Sequence, residues 1–154
     1  MTWDWGQITA LSSLAGVIGG LISVIFLIFE VRHNAHAIEG ATVQALMNLE
    51  GSVFATIATN AELYLAGCAS SAELAPADAL RFDRIVGAQM SLYYSAYVQF
   101  RERLIDDEVW EAYRNALIGA LAEPGFARHW QAMAHRYPRS FRAAIAPAVA
   151  AQIC

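Results

Sequence analysis

Four ionisable side chains recur at every third position directly after the longest apolar run, namely Glu30, His33, His36 and Glu39. Glu-x-x-His is the ligand spacing of carboxylate-bridged di-metal sites in helical bundles. Those sites also need a second such pair and two further glutamates from facing helices, whereas this chain supplies one pair. Three-residue steps drift about 60° around a helix each, which places Glu30 and Glu39 on opposite sides. The pattern therefore favours a polar collar, meaning a group of polar side chains where a helix leaves the bilayer, and it predicts no cofactor. A metal or pH sensor at these residues is the alternative.

Two further polar residues, Arg32 and Asn34, lie in the same stretch. They are typical of juxtamembrane residues that make polar contacts between subunits, or that line the mouth of a pore. The serines and cysteines of the chain have neither a base nor a glycine-rich elbow beside them, so nucleophilic catalysis is not indicated. We expect no catalytic residue, and the sequence favours a non-enzymatic protein.

The segment before this collar is 25 residues without a charge, from Trp5 to Phe29. A helix of this length, at about 1.5 Å per residue, exceeds the roughly 30 Å hydrocarbon core of a bilayer. A secretory signal peptide would carry a positive first region and a small-residue cleavage site, and neither is present. The run therefore predicts a single transmembrane helix, and the core helix of a soluble bundle is the alternative.

Small residues recur every fourth position inside this run. Close approach through small side chains is a main route by which helices pack in lipid. Because one span has no second span in its own chain, we expect this face to pack against another copy or against a larger membrane complex. The stripe consists of Ser12, Ala15, Gly16, Gly19, Gly20 and Ser23.

The remainder of the chain reads as helical throughout. Apolar positions after Glu30 keep a three-and-four spacing as far as Ile57, which predicts that the span continues into a long helix. Asn60 is expected to cap a short helix, Pro76 to open a helix to about Leu104, and Asp106 or Asp107 to cap the next. The predicted fold is all-α, with a transmembrane anchor at 1–30, a juxtamembrane helix at 31–59 and a soluble helical bundle at 60–154.

Charge is distributed unevenly along the chain. The net charge is −4 and every basic residue is arginine, so no nucleic-acid partner is expected. No acid follows Glu123, whereas four arginines and two histidines alternate with aromatic side chains between 128 and 142. This basic stretch has two interpretations, namely contact with anionic lipid or docking onto the acidic middle segment. The aromatic residues around the long third helix predict a hydrophobic core, with a ligand pocket as the alternative.

One stretch, "SVIFLIFEVRHNAHA" at 23–37, resembles the signature "SLIYLAxQIRxNTxA" of a broad family of small bacterial membrane proteins. The stretches "LYYSAYVQFRERLIDDEVWEAYRNAL", "PGFARHW" and "YPRSFRAAI" are also similar to that family. The chain departs from the signature at Glu30, where glutamine is usual, and at Ala35, where threonine is usual. The resemblance implies an N-terminal span followed by a helical domain, and it implies no reaction.

These observations predict a single-pass protein of the bacterial inner membrane with its C-terminal domain in the cytoplasm. The expected role is that of a non-enzymatic, homo-oligomeric scaffold or an accessory subunit of a membrane complex. A small oligomeric channel is the alternative, although the span carries no ionisable residue that would attract ions. The expected partners are membrane lipid, further copies of the chain and a larger membrane complex.

Overall fold

The structure is a computed structural model that describes the backbone of residues 5–71 and 73–152. Within these ranges the regular structure is entirely helical, with six α-helices, one short 3-10 turn at Ala134–Arg136 and no strand. The predicted all-α fold, with one long apolar helix followed by a helical bundle, is confirmed. The helices are α1 (Trp5–Thr59), α2 (Ala61–Ser70), α3 (Pro76–Arg101), α4 (Asp107–Leu121), α5 (Pro124–Met133) and α6 (Arg139–Gln152).

Helix α1 is one continuous helix of 55 residues, so the apolar run and the amphipathic stretch after it belong to the same helix. Gly40 and Gly51 lie inside it without ending it, although each weakens a helix by about 1 kcal/mol relative to alanine. The chain divides into two compact units within this helix, residues 1–40 and residues 41–154. The last third of α1 therefore belongs with the bundle.

The ends of α3 and α4 follow from their capping residues. Pro76 is the first residue of α3, where its missing N–H is not needed. The helix ends at Arg101, three residues before the predicted end, and Arg103 adopts a left-handed conformation with φ of 59°. Asp106 then caps α4 as predicted, because its Oδ1 accepts a hydrogen bond of 2.8 Å from the backbone N–H of Val109.

The short helix α2 begins where the sequence predicts but is not capped as predicted. Asn60 precedes Ala61, yet its side chain makes no cap hydrogen bond to α2. Its Nδ2 instead donates to the carbonyl oxygen of Thr56 at 2.9 Å. The expectation that the Asn60 side chain caps α2 is wrong, because the last turn of α1 also offers unpaired carbonyl groups and uses this donor.

The core of the bundle is formed by the apolar faces of α3 to α6 and by a few residues of α1 and α2. Phe141 of α6 is its aromatic centre, with ring centroids 5.2 Å from Tyr97 and 5.3 Å from Tyr94. The predicted interpretation of the aromatic group as core is therefore supported. The largest fully buried side chains are Phe126, Phe141, Met90, Leu92, Leu117, Ile145 and Val86.

Helices α2 and α5 cross at two glycines. A Cβ atom on Gly125 would overlap the backbone carbonyl oxygen of Gly67, and a Cβ atom on Gly67 would overlap the ring of Phe82. Only glycine lets the two backbones approach this closely. The crossing holds α5 against α2, and α5 also contacts α3.

Candidate functional site

The first candidate surface is the apolar part of α1. Every side chain that the structure describes between residues 16 and 34 is exposed. Apolar side chains point to all sides of the helix, so no single face is set apart for packing against a protein core. Leu21, Ile25 and Ile28, which a soluble core helix would bury, are 59%, 54% and 50% exposed. The helix is long and apolar enough to cross a membrane.

The predicted small-residue stripe lies on this exposed helix. A Cβ atom at Gly16, Gly19 or Gly20 would meet nothing within 4 Å. The hydroxyl of Ser23 donates to the carbonyl oxygen of Gly19 at 2.9 Å, so it is satisfied inside its own helix. The side chains of Ser12 and Ala15 lie outside the described residues. None of the described glycines is required by packing within residues 16–34, which leaves the stripe available to another helix.

The predicted juxtamembrane residues also lie on α1. Glu30, Arg32, His33 and Asn34 are exposed and Glu39 is half-buried. The side chain of His36 lies outside the described residues. Among the side chains that are described, no group of three or more His, Cys, Asp or Glu residues could hold a metal ion.

A second candidate site is a polar cavity of about 590 Å³ between α3 and the segment from α5 to Pro138. At its edge, Nδ1 of His129 lies 2.6 Å from Oδ1 of Asp83. The imidazole is 6% exposed and the carboxylate is 37% exposed. The cavity is lined by Asp83, Arg84, Gly87, Ala88, Ser91, Tyr94, His129, Met133, Arg136, Tyr137 and Pro138.

Helical spacing explains how the cavity is assembled. Asp83, Gly87 and Ser91 are four residues apart on α3 and share one side of that helix. His129 and Met133 have the same spacing on α5. The small residue Gly87 stands opposite the imidazole, since a Cβ atom there would be 4.0 Å from Cε1 of His129. The side of α3 at Gly87 therefore lies close to the buried ring.

Sequence reasoning missed this site. His129 and His135 lie six residues apart and cannot face each other on one helix, and the partner of His129 is instead Asp83, 46 residues earlier on α3. A local signal does exist in α3, where the small or polar residues Asp83, Gly87 and Ser91 run beside its apolar face. A row of such residues on α3 marks a side of the helix that is neither apolar core nor fully charged surface.

A hydrogen-bonded network of three polar side chains, together with a cysteine, also lies within the bundle. The hydroxyl of Tyr64 donates to Oε1 of Gln89 at 2.9 Å, and Nε2 of Gln89 donates to the hydroxyl of Tyr93 at 3.1 Å. Burial raises the pKa of Tyr64 and of Tyr93 above the ordinary tyrosine value. Burial likewise raises the pKa of the Cys68 thiol, so this cysteine is poorly suited to act as a nucleophile.

An apolar groove of about 260 Å³ lies between the last third of α1 and α4. Its polar feature is the hydroxyl of Tyr113, which donates to Oε2 of Glu50 at 3.1 Å. Burial, together with the neighbouring Glu50 carboxylate, raises the pKa of Tyr113 to about 12. The phenol is therefore neutral and donates a hydrogen bond at physiological pH.

Comparison of the chain with protein-family models, with curated proteins and with solved structures finds no match in any of the three. The interpretation of both candidate sites consequently rests on their own geometry.

Proposed function

We propose that this protein is a membrane-anchored, non-enzymatic helical domain that assembles with further copies of itself as a scaffold or as an accessory subunit of a membrane complex. One observation carries the proposal, namely the exposure of apolar side chains on all sides of α1 between residues 16 and 34. In water this surface would be solvated at a high cost, whereas lipid tails solvate it favourably.

The free energy of inserting this helix into a membrane supports anchoring. Eleven large apolar side chains between Val17 and Val31 are 49% to 68% exposed. At about 0.3 to 0.6 kcal/mol for each residue in the centre of a membrane helix, they favour insertion by about 3 to 7 kcal/mol. Glu30 and Arg32 then lie where the helix leaves the bilayer, which suits a polar collar. The small positive bias at Arg32 supports a bacterial inner-membrane protein whose C-terminal domain is cytoplasmic.

Assembly follows from the small-residue stripe. A single span has no neighbour in its own chain, and the open space around Gly16, Gly19 and Gly20 allows a second helix to approach closely. A second copy presents the same stripe, so a symmetric contact between copies is the most economical arrangement.

Anchoring is tested by placing charge inside the span. An arginine at the centre of a membrane helix costs about 2.5 to 3.5 kcal/mol, so the double variant Ile22→Arg/Ile25→Arg offsets most of the insertion energy. We expect the native chain to remain in the membrane pellet after an alkaline carbonate wash and the double variant to leave it. Phe54→Arg is the matched control, because Phe54 is 52% exposed on the same helix but outside the span. A native chain that dissolves without detergent contradicts the proposal.

Assembly is tested separately by mass measurement of the purified chain in a mild uncharged detergent. We expect a discrete oligomer that Gly20→Leu dissociates, because the larger side chain separates the two backbones. Gly51→Leu is the control, since a Cβ atom at Gly51 also meets nothing within 4 Å yet lies outside the stripe. A monomer in the native chain, or equal masses for native chain and Gly20→Leu, would sink the homo-oligomeric part of the proposal.

A further inference from the structure

The cavity between α3 and α5 has an unbalanced set of charges. Two arginines and one histidine line it, namely Arg84, Arg136 and His129, against the single carboxylate of Asp83. That carboxylate is already bonded to His129 through Oδ1. The chain as a whole is acidic, with a net charge of −4, whereas the arginines that line this cavity outnumber its carboxylates by two to one.

Both arginines are exposed residues at the rim of the cavity. In the part of the chain that the structure describes, neither Arg84 nor Arg136 has a carboxylate partner within 4 Å. Nη1 of Arg136 makes a long 3.9 Å contact with the sulfur of Met133. By contrast, Arg81 and Arg114 pair with acids one turn away on their own helices. The donors of both exposed guanidinium groups are therefore open to water or to an anionic ligand.

The Asp83 carboxylate orients the histidine. With the proton on Nδ1 directed at Oδ1 of Asp83, the imidazole is fixed in one plane and Nε2 is its remaining polar atom. A histidine held in this way resembles the oriented imidazoles of binding sites, whose second nitrogen is kept for a ligand. The imidazole is 6% exposed, and a Cβ atom at Gly87 would lie in ordinary contact with its Cε1.

The remaining walls of the cavity are flat and partly apolar. The rings of Tyr94 and Tyr137 meet edge to face, with centroids 5.6 Å apart, and Pro138 and Met133 continue the same wall. The volume of about 590 Å³ is that of a pocket for a small molecule rather than for a single ion. Tyr137 also lies 5.6 Å, centroid to centroid, from Trp130, whose fluorescence reports on this wall.

From these observations we infer that the cavity binds a small organic anion, a carboxylate or phosphate group attached to a flat ring. Arg84 and Arg136 pair with the anionic group, because guanidinium donors match carboxylate and phosphate oxygens. His129 contributes Nε2 as a further polar contact, and the ring of the ligand packs on Tyr94 and Tyr137. This site is independent of membrane anchoring and goes beyond the proposed scaffold, since it gives the domain a ligand to respond to.

Binding is tested with phenyl phosphate, benzoate and inorganic phosphate as probes, titrated into the full chain in an uncharged detergent. Calorimetry measures the affinity. Because the chain has four tryptophans, the change in tryptophan fluorescence on binding is assigned to Trp130 by comparison with Trp130→Phe. We expect phenyl phosphate or benzoate to bind, and inorganic phosphate to bind at least tenfold more weakly, because it lacks the ring. Absence of binding by both organic probes at millimolar concentration overturns the inference.

Variants decide whether binding occurs in this cavity. Arg84→Gln and Arg136→Gln are each expected to weaken the organic probe at least tenfold, whereas Arg114→Gln, which removes an arginine paired with Glu111, leaves the affinity unchanged. Gly87→Leu is expected to fill the cavity and abolish binding. Gly119→Leu is its control, as the same change in α4 meets open space. Equal effects of the cavity variants and their controls overturn the inference.

Two further measurements separate the remaining explanations. Circular dichroism of each variant shows whether the fold survives, and Arg84→Lys, which keeps the charge, should recover part of the affinity. Anionic phosphatidylglycerol nanodiscs, compared with phosphatidylcholine nanodiscs, show where the anionic group comes from. Competition by phosphatidylglycerol identifies a lipid headgroup as the source of the phosphate, and undiminished binding identifies a free small molecule. If Asp83 and His129 serve only to join α3 to α5, then the substitutions at Arg84, Arg136 and Gly87 leave probe binding unchanged, and the inference is overturned.

Discussion

Two regions of this molecule use their apolar side chains in opposite ways. In α1 between residues 16 and 34, Phe26 and Phe29 are each 68% exposed, whereas in the bundle Phe126 and Phe141 are completely buried. The bundle helices place apolar residues on one side and charges on the other, so that they cover each other. The first part of α1 has no polar side to turn outward. The comparison shows that a helix with separate apolar and polar sides can be covered by its own chain, whereas a helix that is apolar on all sides leaves apolar surface exposed.

The sharpest test of this difference is the same substitution in both regions. Phe141→Ala is expected to lower the free energy of unfolding of the bundle by about 3 to 5 kcal/mol, because it leaves a cavity at the centre of the aromatic cluster. Phe26→Ala is expected to change that free energy by less than about 0.5 kcal/mol. Denaturant titration in mild detergent, followed by near-ultraviolet circular dichroism, measures both. Equal losses would mean that Phe26 is covered by protein.

Glycines provide the second test, because Gly67 and Gly125 of the bundle lie at a close crossing and the described glycines of α1 do not. Gly125→Ala is expected to destabilise the bundle by about 1 to 3 kcal/mol, or more, since the new methyl group meets the backbone oxygen of Gly67. Gly20→Ala adds the same methyl group in open space and should leave the bundle unchanged. Thermal unfolding of the two variants distinguishes them. A tolerant Gly125→Ala would show that α2 and α5 can separate at little cost.

The difference between the two regions also explains what the sequence could predict. Features that depend on neighbours along the chain could be predicted from the sequence. Among them are the apolar run, the helical spacing, the start of α3 at Pro76 and the cap of α4 at Asp106. The side-chain cap expected at Asn60 failed because two helix ends compete for one amide group. Even a local rule is therefore limited where two elements meet.

Features that depend on contacts between distant parts of the chain could not be predicted from the sequence. The crossing of Gly67 and Gly125 and the pair of Asp83 with His129 both join helices that are far apart in the sequence. Periodicity identifies which side of each helix is apolar, but it does not identify which helix that side faces. The cavity between α3 and α5 is a product of such a pairing, so its residues could be recognised only in the folded chain.

A smaller effect is expected from the buried amide that joins two tyrosines. Gln89→Leu removes the acceptor for Tyr64 and the donor to Tyr93, and it is expected to cost about 1 to 3 kcal/mol because both hydroxyls stay partly buried without a partner. Gln44→Leu is the matched control on the exposed side of α1, where Gln44 bonds to Asn48 at 3.1 Å. Denaturant titration compares them, and a neutral Gln89→Leu would indicate that water replaces the amide.

The smallest effect concerns alkaline pH and again separates the two regions, because the tyrosines with raised pKa values belong to the bundle. Burial raises the pKa of Tyr113 from 10.0 to about 12, so the folded state holds its proton more tightly than the unfolded state. The resulting stabilisation is fully present below pH 10 and is lost as the pH rises to 12. Unfolding free energies measured at pH 8, 10 and 11 should therefore fall, and less steeply in Tyr113→Phe. The same slope in both proteins would show that Tyr64, Tyr93 and Tyr137, whose pKa values burial also raises, account for the alkaline loss without Tyr113.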